Sequence, residues 1–120
     1  MDIEQIRTYC LDKKGTTEDF PFDEDTLVFK VLGKMFVLAS LKWWERGEAA
    51  INLKADPDYS EGLRLEYHSI RPGYHMSKKH WNTLYLHEGE LKPDLIKKLI
   101  DHSYDMVIKG MSKKMRDTLI

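Results

Sequence analysis

The sequence has few of the features that mark secreted, membrane-spanning or fibrous proteins. It contains one cysteine, Cys10, in 120 residues, so an internal disulfide is excluded and a reducing compartment is expected. No apolar run approaches the roughly 20 residues that a membrane-spanning helix needs, and residues 1–10 lack the apolar core of a signal peptide. We therefore expect a cytoplasmic protein with no membrane partner.

The chain also lacks an excess of either charge. It has 19 Lys and Arg against 20 Asp and Glu, a formal net charge of −1, which gives no overall attraction to nucleic acid. The charges are nevertheless segregated. Thr16–Asp25 contains five acids and no base, whereas Arg71–His80 contains three bases, two histidines and no acid. The near-neutral total therefore hides two segments of opposite sign.

What is present is the composition of an ordinary folded domain, with 42% hydrophobic and 32% charged residues. There is no linker, low-complexity segment or long-period repeat, so residues 1–120 are interpreted as one domain. Helical and alternating patterns follow one another as helix, hairpin-linked strands, helix, strand and helix. Short connections between strands favour antiparallel pairing. The predicted fold is α+β: a single antiparallel sheet of four or five strands with helices packed on one face.

The individual elements follow from local signals. Capping residues predict helices that begin after Asp2, at Asp56-Pro57 and at Pro93-Asp94. Strands are predicted at Leu27–Leu32, Lys34–Leu41, Ala49–Lys54 and Trp81–His87, with a short fifth strand at Gly73–Met76. Thr16–Asp25 is interpreted as an acidic connector whose Phe20 and Phe22 anchor to the core, and Lys42–Gly47 as a turn.

The segment Arg71–Trp81 has the richest chemistry in the chain. It combines cations, two imidazoles, a glycine and two aromatic rings within eleven residues. Phosphate contacts need cations and N–H donors, and base stacking needs exposed aromatic faces. The alternative is a solvated loop whose Tyr74 and Trp81 point into the core. We predict that Lys78 and Lys79 lie at the surface with Arg71, away from the acidic segment.

The tetrapeptide Met-Ser-Lys-Lys occurs twice, at Met76–Lys79 and at Met111–Lys114. The second copy opens a predicted C-terminal helix, where free N–H groups and two lysines would favour an anion. The alternative interpretation, two solvated lysines on a terminal helix, is preferred.

Metal binding and catalysis find little support. His68, His75 and His80 are separated by seven and five residues, which does not match the i, i+4 spacing of a zinc-binding helix. Cys10 lies on the apolar stripe of the first predicted helix and is interpreted as a small buried hydrophobe rather than a reactive thiol. The sequence therefore predicts no catalytic residue, no metal ligand and no cofactor.

The pair Trp43-Trp44 is a second candidate site. If this segment is extended, neighbouring side chains face opposite ways, so at most one ring readily enters the core. The other ring would then be exposed unless a partner, a ligand or a second subunit covers it.

Several segments together resemble the MmcQ/YjbR family of small bacterial proteins. They are Phe29–Val31 with Gly33–Phe36, Asn52–Pro57, Arg71–Thr83 and Asp101–Val107. The resemblance covers nearly the whole chain and is most specific in Arg71–Thr83, where Ser77 replaces the Asn that is more usual. It implies a CyaY-like fold, an antiparallel sheet with helices packed against it. It also implies DNA binding, by likeness to the double-wing domain of a phage transcription factor.

The leading functional hypothesis is a non-enzymatic protein that binds DNA or another nucleic acid. Its predicted contacts to phosphate are Lys54, Arg71, Lys78 and Lys79, with His75, His80 and Trp81 flanking them. One alternative is a protein-interaction module centred on Trp43 and Trp44. Another is a small-anion-binding protein or enzyme that uses His75 and His80. A monomer is favoured, and the choice between DNA and RNA stays open.

Overall fold

Six strands form one sheet in the computed structural model, which describes all 120 residues. The strands are β1 (Thr16–Asp19), β2 (Thr26–Val31), β3 (Lys34–Ser40), β4 (Ala50–Lys54), β5 (Ile70–Pro72) and β6 (Trp81–Tyr85). Their order across the sheet is β1-β2-β3-β4-β6-β5, and every neighbouring pair is antiparallel. The predicted α+β class and antiparallel sheet are confirmed, with six strands in place of four or five.

Five α-helices connect and flank these strands. They are α1 (Ile3–Leu11), α2 (Leu41–Glu45), α3 (Pro57–Glu66), α4 (Pro93–Lys109) and α5 (Lys113–Asp117), and a 3₁₀ turn covers Leu86–Glu88. Three of them begin at the predicted residues because the caps form: Asp2 accepts from the Gln5 N–H, Asp56 caps α3, and Pro93 opens α4. None of the helices combines the length and apolarity needed to span a bilayer.

The acidic segment is partly a strand rather than a connector. Thr16–Asp19 pairs with Val28–Val31 of β2 and forms one edge of the sheet. The strand can form because its carboxylates meet bases at Arg7 and Lys30, which reduces their mutual repulsion. Phe20 and Phe22, which were expected in the core, are 46% and 62% exposed.

Two other element assignments differ from the prediction. The Lys42–Gly47 turn contains the short helix α2, so Trp43 and Trp44 do not lie on an extended chain. The fifth strand is Ile70–Pro72 rather than Gly73–Met76, which forms a turn. A strand is incompatible with His75, whose φ of 55° lies in the left-handed region.

The helices cover one face of the sheet, as predicted. Buried residues of α4 (Ile96, Leu99, Ile100 and Val107) pack with Ile6 of α1, Leu63 of α3 and the inward side chains of the strands. Ser103 fastens α4 to the sheet: its Oγ donates to the Phe36 carbonyl at 2.6 Å and accepts from the Lys54 N–H at 2.9 Å. Phe36 needs this partner because the β2–β3 register shifts beside it, which leaves its carbonyl outside the regular ladder.

Candidate nucleic-acid interface

The opposite face of the sheet, here called the open face, carries a row of side chains that runs from one edge strand to the other. In order of pairing, the row is Asp19, Val28, Leu38, Asn52, Thr83 and Arg71. Directly opposed residues in antiparallel strands share a face of the sheet. The row therefore changes from an acid through apolar and neutral polar residues to a base.

This row places the acids of β1 and the basic segment at opposite edges of the sheet. Glu18 and Asp19 lie on β1 and pair with Arg7 and Lys30 rather than with the basic segment. The distance between the edges follows from the strand order, in which four strands separate β1 from β5. Glu18 and Asp19 consequently do not neutralise Arg71–His80 by direct contact.

Residues Gly73–His80 connect β5 to β6 and are called the basic loop below. The loop is fastened by Arg64 of α3, whose guanidinium donates to the Lys78 carbonyl at 2.5 Å and to the Trp81 carbonyl at 3.2 Å. The same guanidinium donates to Asn82 Oδ1 at 2.7 Å. Sequence reasoning missed Arg64, because it is an ordinary base near the end of a helix until the fold places the loop beside it.

The base of the loop is closed by backbone contacts that require glycine. The Gly73 N–H donates to the Trp81 carbonyl at 2.8 Å. A Cβ atom at Gly73 would lie 2.9 Å from Trp81 Cβ, closer than real Cβ atoms approach their neighbours, and 3.0 Å from the Trp81 carbonyl oxygen. The next residue, Tyr74, donates its N–H to Thr83 Oγ1 at 2.9 Å. The first residues of the loop are therefore bound firmly to β6.

Arg71, a predicted phosphate contact, already has an acidic partner. One of its guanidinium nitrogens lies 2.8 and 2.6 Å from the two carboxylate oxygens of Glu88, and its Cζ lies 4.3 Å from the centre of the Tyr85 ring. The hydrogen bond to Glu88 raises the pKa of Arg71, and the same bond lowers the pKa of Glu88. Arg71 thus lies beside the basic loop with its charge compensated.

The other lysines predicted to contact phosphate form no ion pair with an acidic side chain. None of the ion pairs of the chain involves Lys54, Lys78 or Lys79. Lys78 and Lys79 are exposed, as predicted, and the Lys78 ammonium donates one hydrogen bond to the Gly73 carbonyl at 3.0 Å. Lys54 is half-buried and lies directly opposite Trp81 on the neighbouring strand. The fold therefore brings Lys54 and Trp81 beside the basic loop.

His75 and His80 are exposed residues of the same loop. His75 packs its ring against Tyr74 with 4.1 Å between the ring centres. No group of three or more His, Cys, Asp or Glu side chains in the chain is arranged to hold a metal ion. Cys10 is buried as predicted, and burial raises the pKa of its thiol to about 12, so it stays protonated at neutral pH.

The two tryptophans of α2 have different surroundings. Trp44 packs against the core and donates its indole N–H to the Ala50 carbonyl at 3.0 Å, so it serves the fold. Trp43 lies at the open face, with its ring centre 5.0 Å from that of Tyr74 and 6.4 Å from that of Tyr85. Trp43 therefore contacts the basic loop. The local sequence of neither α2 nor the loop predicts this contact.

A cavity of about 390 Å³ opens between Trp43, the basic loop and the segment before β2. We call it the aromatic cleft. Its walls include Phe22, Trp43 and Tyr74, and its floor includes Leu38, Asn52 and Thr83 of the open face. Sequence reasoning missed the cleft because its walls come from three separate segments of the chain.

Comparison with known proteins identifies the group to which the chain is related. The YjbR family profile matches residues 11–106. The protein is 43% identical over 95 residues to the uncharacterised protein YbdF of Escherichia coli O157:H7, covering 79% of this chain and 75% of YbdF. It is 32% identical over 120 residues to the uncharacterised protein YjbR of Escherichia coli K12, covering 100% of this chain and 98% of YjbR.

Solved structures agree with this relation. The crystal structure of Deinococcus radiodurans protein DR2400, a DUF419 domain, superposes with a TM-score of 0.87 at 37% identity, covering 98% of this chain and 87% of that chain. A Pseudomonas syringae protein superposes with a TM-score of 0.73 at 30% identity, covering 88% of this chain and 98% of that chain. The resemblance carried by Arg71–Thr83 and the other segments is thus confirmed, and the chain belongs to the MmcQ/YjbR family.

Proposed function

We propose that this protein is a non-enzymatic nucleic-acid-binding protein whose binding surface is the basic loop together with the adjoining open face. The observation that carries the proposal is the position of unpaired cations beside aromatic rings. Lys78 and Lys79 are exposed and have no acidic partner. Tyr74 belongs to the same loop, and the centre of its ring lies 5.0 Å from that of Trp43.

The cations provide the electrostatic part of such a surface. Lys78 uses one hydrogen of its ammonium on the Gly73 carbonyl, which leaves two for a phosphate oxygen. Lys79, His75 and His80 extend the same loop, and Lys54 lies on the neighbouring strand. A net charge of −1 does not oppose this function, because a phosphate near the loop is close to the bases and far from Glu18 and Asp19 at the opposite edge of the sheet.

The aromatic side chains provide the second part. Proteins that bind single strands stack bases on exposed aromatic side chains while cations follow the backbone. Tyr74 is 50% exposed, and Trp43 is half-buried with its ring centre 5.0 Å from that of Tyr74. No helix intervenes between these rings and the basic loop. The open face therefore supports binding through both backbone and base contacts.

The experiment that tests the proposal uses the two copies of Met-Ser-Lys-Lys. The double variant Lys78→Ala/Lys79→Ala removes the cations of the basic loop. The matched control Lys113→Ala/Lys114→Ala removes the same charges from α5, which belongs to the helical side of the fold. Wild type and both variants are titrated with single-stranded and duplex DNA and RNA at two salt concentrations, with thermal unfolding as the check on folding.

The loop variant should bind every sequence more weakly. Its log–log salt slope should be shallower by roughly 0.7 per lost contact on a single strand or 0.9 on a duplex, because each contact releases condensed counterions. The α5 variant should keep the wild-type slope. The proposal fails if the wild type binds no nucleic acid at low salt, or if the folded loop variant keeps both wild-type affinity and wild-type slope.

A further inference from the structure

The aromatic cleft has the dimensions and walls of a site for one flat ring system. Its volume of about 390 Å³ lies near the lower end of the roughly 300–1,000 Å³ range of small-ligand pockets. Phe22 stands on one side and Tyr74 on the other, 62% and 50% exposed. Exposed apolar side chains that border one groove mark a candidate site for a ligand or partner.

The floor of the cleft contains a polar group with free donors. The Thr83 hydroxyl accepts from the Tyr74 N–H and donates to Asn52 Oδ1, which determines the orientation of the Asn52 carboxamide. The amide nitrogen of Asn52 is accessible to solvent and bonds to no group of the chain. Its N–H donors suit the carbonyl oxygens and unprotonated ring nitrogens that are the acceptors at the edges of nucleobases, including the carbonyl oxygens of thymine.

The walls are largely formed before any ligand arrives. Tyr74 is fastened through its N–H to Thr83, and the loop that carries it is fastened by Arg64. His75 adopts the left-handed conformation, with φ of 55°, which a residue other than glycine rarely adopts. A wall that is already ordered loses little freedom when a ligand binds, so binding is favoured.

We infer that the aromatic cleft receives one unstacked base of a single-stranded nucleic acid whose phosphates contact the basic loop. This inference rests on the proposed function and adds the kind of strand that is bound. In a duplex the bases are stacked and paired, so none reaches a recessed cleft without first being extruded. A single strand presents its bases without that cost.

The position of the charges favours a base within a strand over a free nucleotide. Lys78 and Lys79 belong to the basic loop but do not line the cleft, which His75 and Met76 of the same loop border. Asp23, Glu24 and Asp25 follow Phe22 on the opposite wall. A backbone would therefore be attracted along the basic loop and repelled from the Phe22 side, and neighbouring phosphates of a strand reach cations that a lone monophosphate does not.

The test compares four probes on the wild-type protein at one salt concentration: an oligothymidylate, an abasic strand of the same length, the duplex of the same length, and thymidine 5′-monophosphate. The oligothymidylate should bind about tenfold to a hundredfold more tightly than the abasic strand, since one stacked base contributes that factor. A strand with one 2-aminopurine should lose fluorescence on binding as that base stacks in the cleft.

Two exposed phenylalanines supply a matched pair of variants. Phe22→Ala removes one wall of the cleft, whereas Phe20→Ala removes a 46% exposed ring of the same segment that does not line it. Phe22→Ala, and separately Tyr74→Ala, should reduce the preference for bases over the abasic strand and leave the salt slope unchanged. Phe20→Ala should keep the preference. Because the Phe22 and Tyr74 rings are at least half exposed, these variants are expected to fold.

The outcomes separate this inference from the proposed function. Equal binding of the oligothymidylate and the abasic strand, with a normal salt slope, overturns the base site and leaves the nucleic-acid surface standing. Monophosphate binding as tight as that of the strand shows that the cleft takes free nucleotides and overturns the strand assignment. Tighter binding of the duplex than of the single strand also overturns it. No binding of any strand removes the proposed function itself.

Discussion

The two edges of the sheet use their charges differently. At the acidic edge the carboxylates are used within the fold: Glu18 binds Arg7, Asp19 binds Lys30, and Asp23 accepts the backbone N–H groups of Asp25 and Thr26. These contacts order β1 and the segment that leads into β2. These acids therefore stabilise β1 and the segment before β2.

At the basic edge only part of the charge is used in this way. Arg71 is paired with Glu88, and Arg64 fastens the loop, but Lys78 and Lys79 have no acidic partner. Composition alone therefore overstates the charge that each segment presents to a ligand. The charge available to a ligand is what remains after the fold has formed its own ion pairs. Lys78 and Lys79 remain at the basic edge, and Asp23, Glu24 and Asp25 remain in the segment before β2.

Among the variants considered, Arg64→Ala should reduce stability most, because Arg64 holds the basic loop in place. Its loss leaves Asn82 Oδ1, which belongs to a buried residue, without its charged donor and frees the Lys78 carbonyl. We expect a loss of about 2–4 kcal/mol in the free energy of unfolding. Denaturant unfolding measures the loss, and faster amide exchange in the basic loop would show where it arises.

The control for Arg64 is Arg46→Ala. Arg46 makes only an exposed pair with Glu48, so its removal should change stability by less than about 1 kcal/mol. Equal losses in the two variants would mean that Arg64 is one more surface base, and that something else orders the loop.

A smaller effect is expected from His102, which supports the start of α3, the helix that carries Arg64. His102 Nε2 accepts the Asp56 N–H at 3.1 Å and can do so only when that nitrogen carries no proton. Burial lowers the pKa of His102, while the Asp56 and Asp105 carboxylates partly oppose the shift. A single hydrogen bond of about 0.5–1.5 kcal/mol bounds the contribution.

The lowered pKa of His102 determines the direction of the pH dependence. Between the folded pKa and the ordinary value of 6.5, the unfolded chain binds more protons, so stability rises with pH and levels off above that value. Unfolding free energies of the wild type and His102→Gln should converge as the pH falls through this window. A pH-independent difference between the wild type and His102→Gln would contradict the assignment.

Glu88→Gln should increase the positive charge available at the basic edge, because it removes the acidic partner of Arg71. Because the pair is partly exposed to solvent, we expect a stability loss of at most about 1 kcal/mol. If the basic edge binds a single strand, the freed guanidinium should steepen the log–log salt slope by about 0.7. Glu61→Gln changes the net charge equally at an exposed position on α3 and should leave the slope as it is. A steeper slope in both variants would attribute the gain to net charge rather than to Arg71.

Glu18→Gln should have the smallest effect on binding. It breaks the pair with Arg7 at the acidic edge, for which we expect a stability loss of about 0.2–1 kcal/mol and no change in nucleic-acid affinity or salt slope. Titration beside Glu88→Gln provides the comparison. A gain in affinity equal to that of Glu88→Gln would show that the two edges are not electrostatically separate.

Much of the fold could be predicted from local patterns. The caps at Asp2, Asp56 and Pro93 start helices where expected, because a cap needs only residues that are close in sequence. The β2–β3 hairpin was also expected, but its turn type was not. The positive φ of both Leu32 and Gly33 in the structure identifies a type I′ turn. β1 was missed because an edge strand rich in acids has no hydrophobic alternation, and only its pairing with β2 stabilises it.

By itself the sequence determined the family, the antiparallel α+β class and the segment of surface cations, because these depend on residue order and local pattern. Only the tertiary structure decided which charges are compensated and which rings meet. Glu88 reaches Arg71, Arg64 reaches the basic loop, and Trp43 reaches Tyr74 across separations that no local pattern encodes. The physical reason is that ion pairs and ring contacts act over a few ångströms in space, and it is the strand order that makes distant residues neighbours.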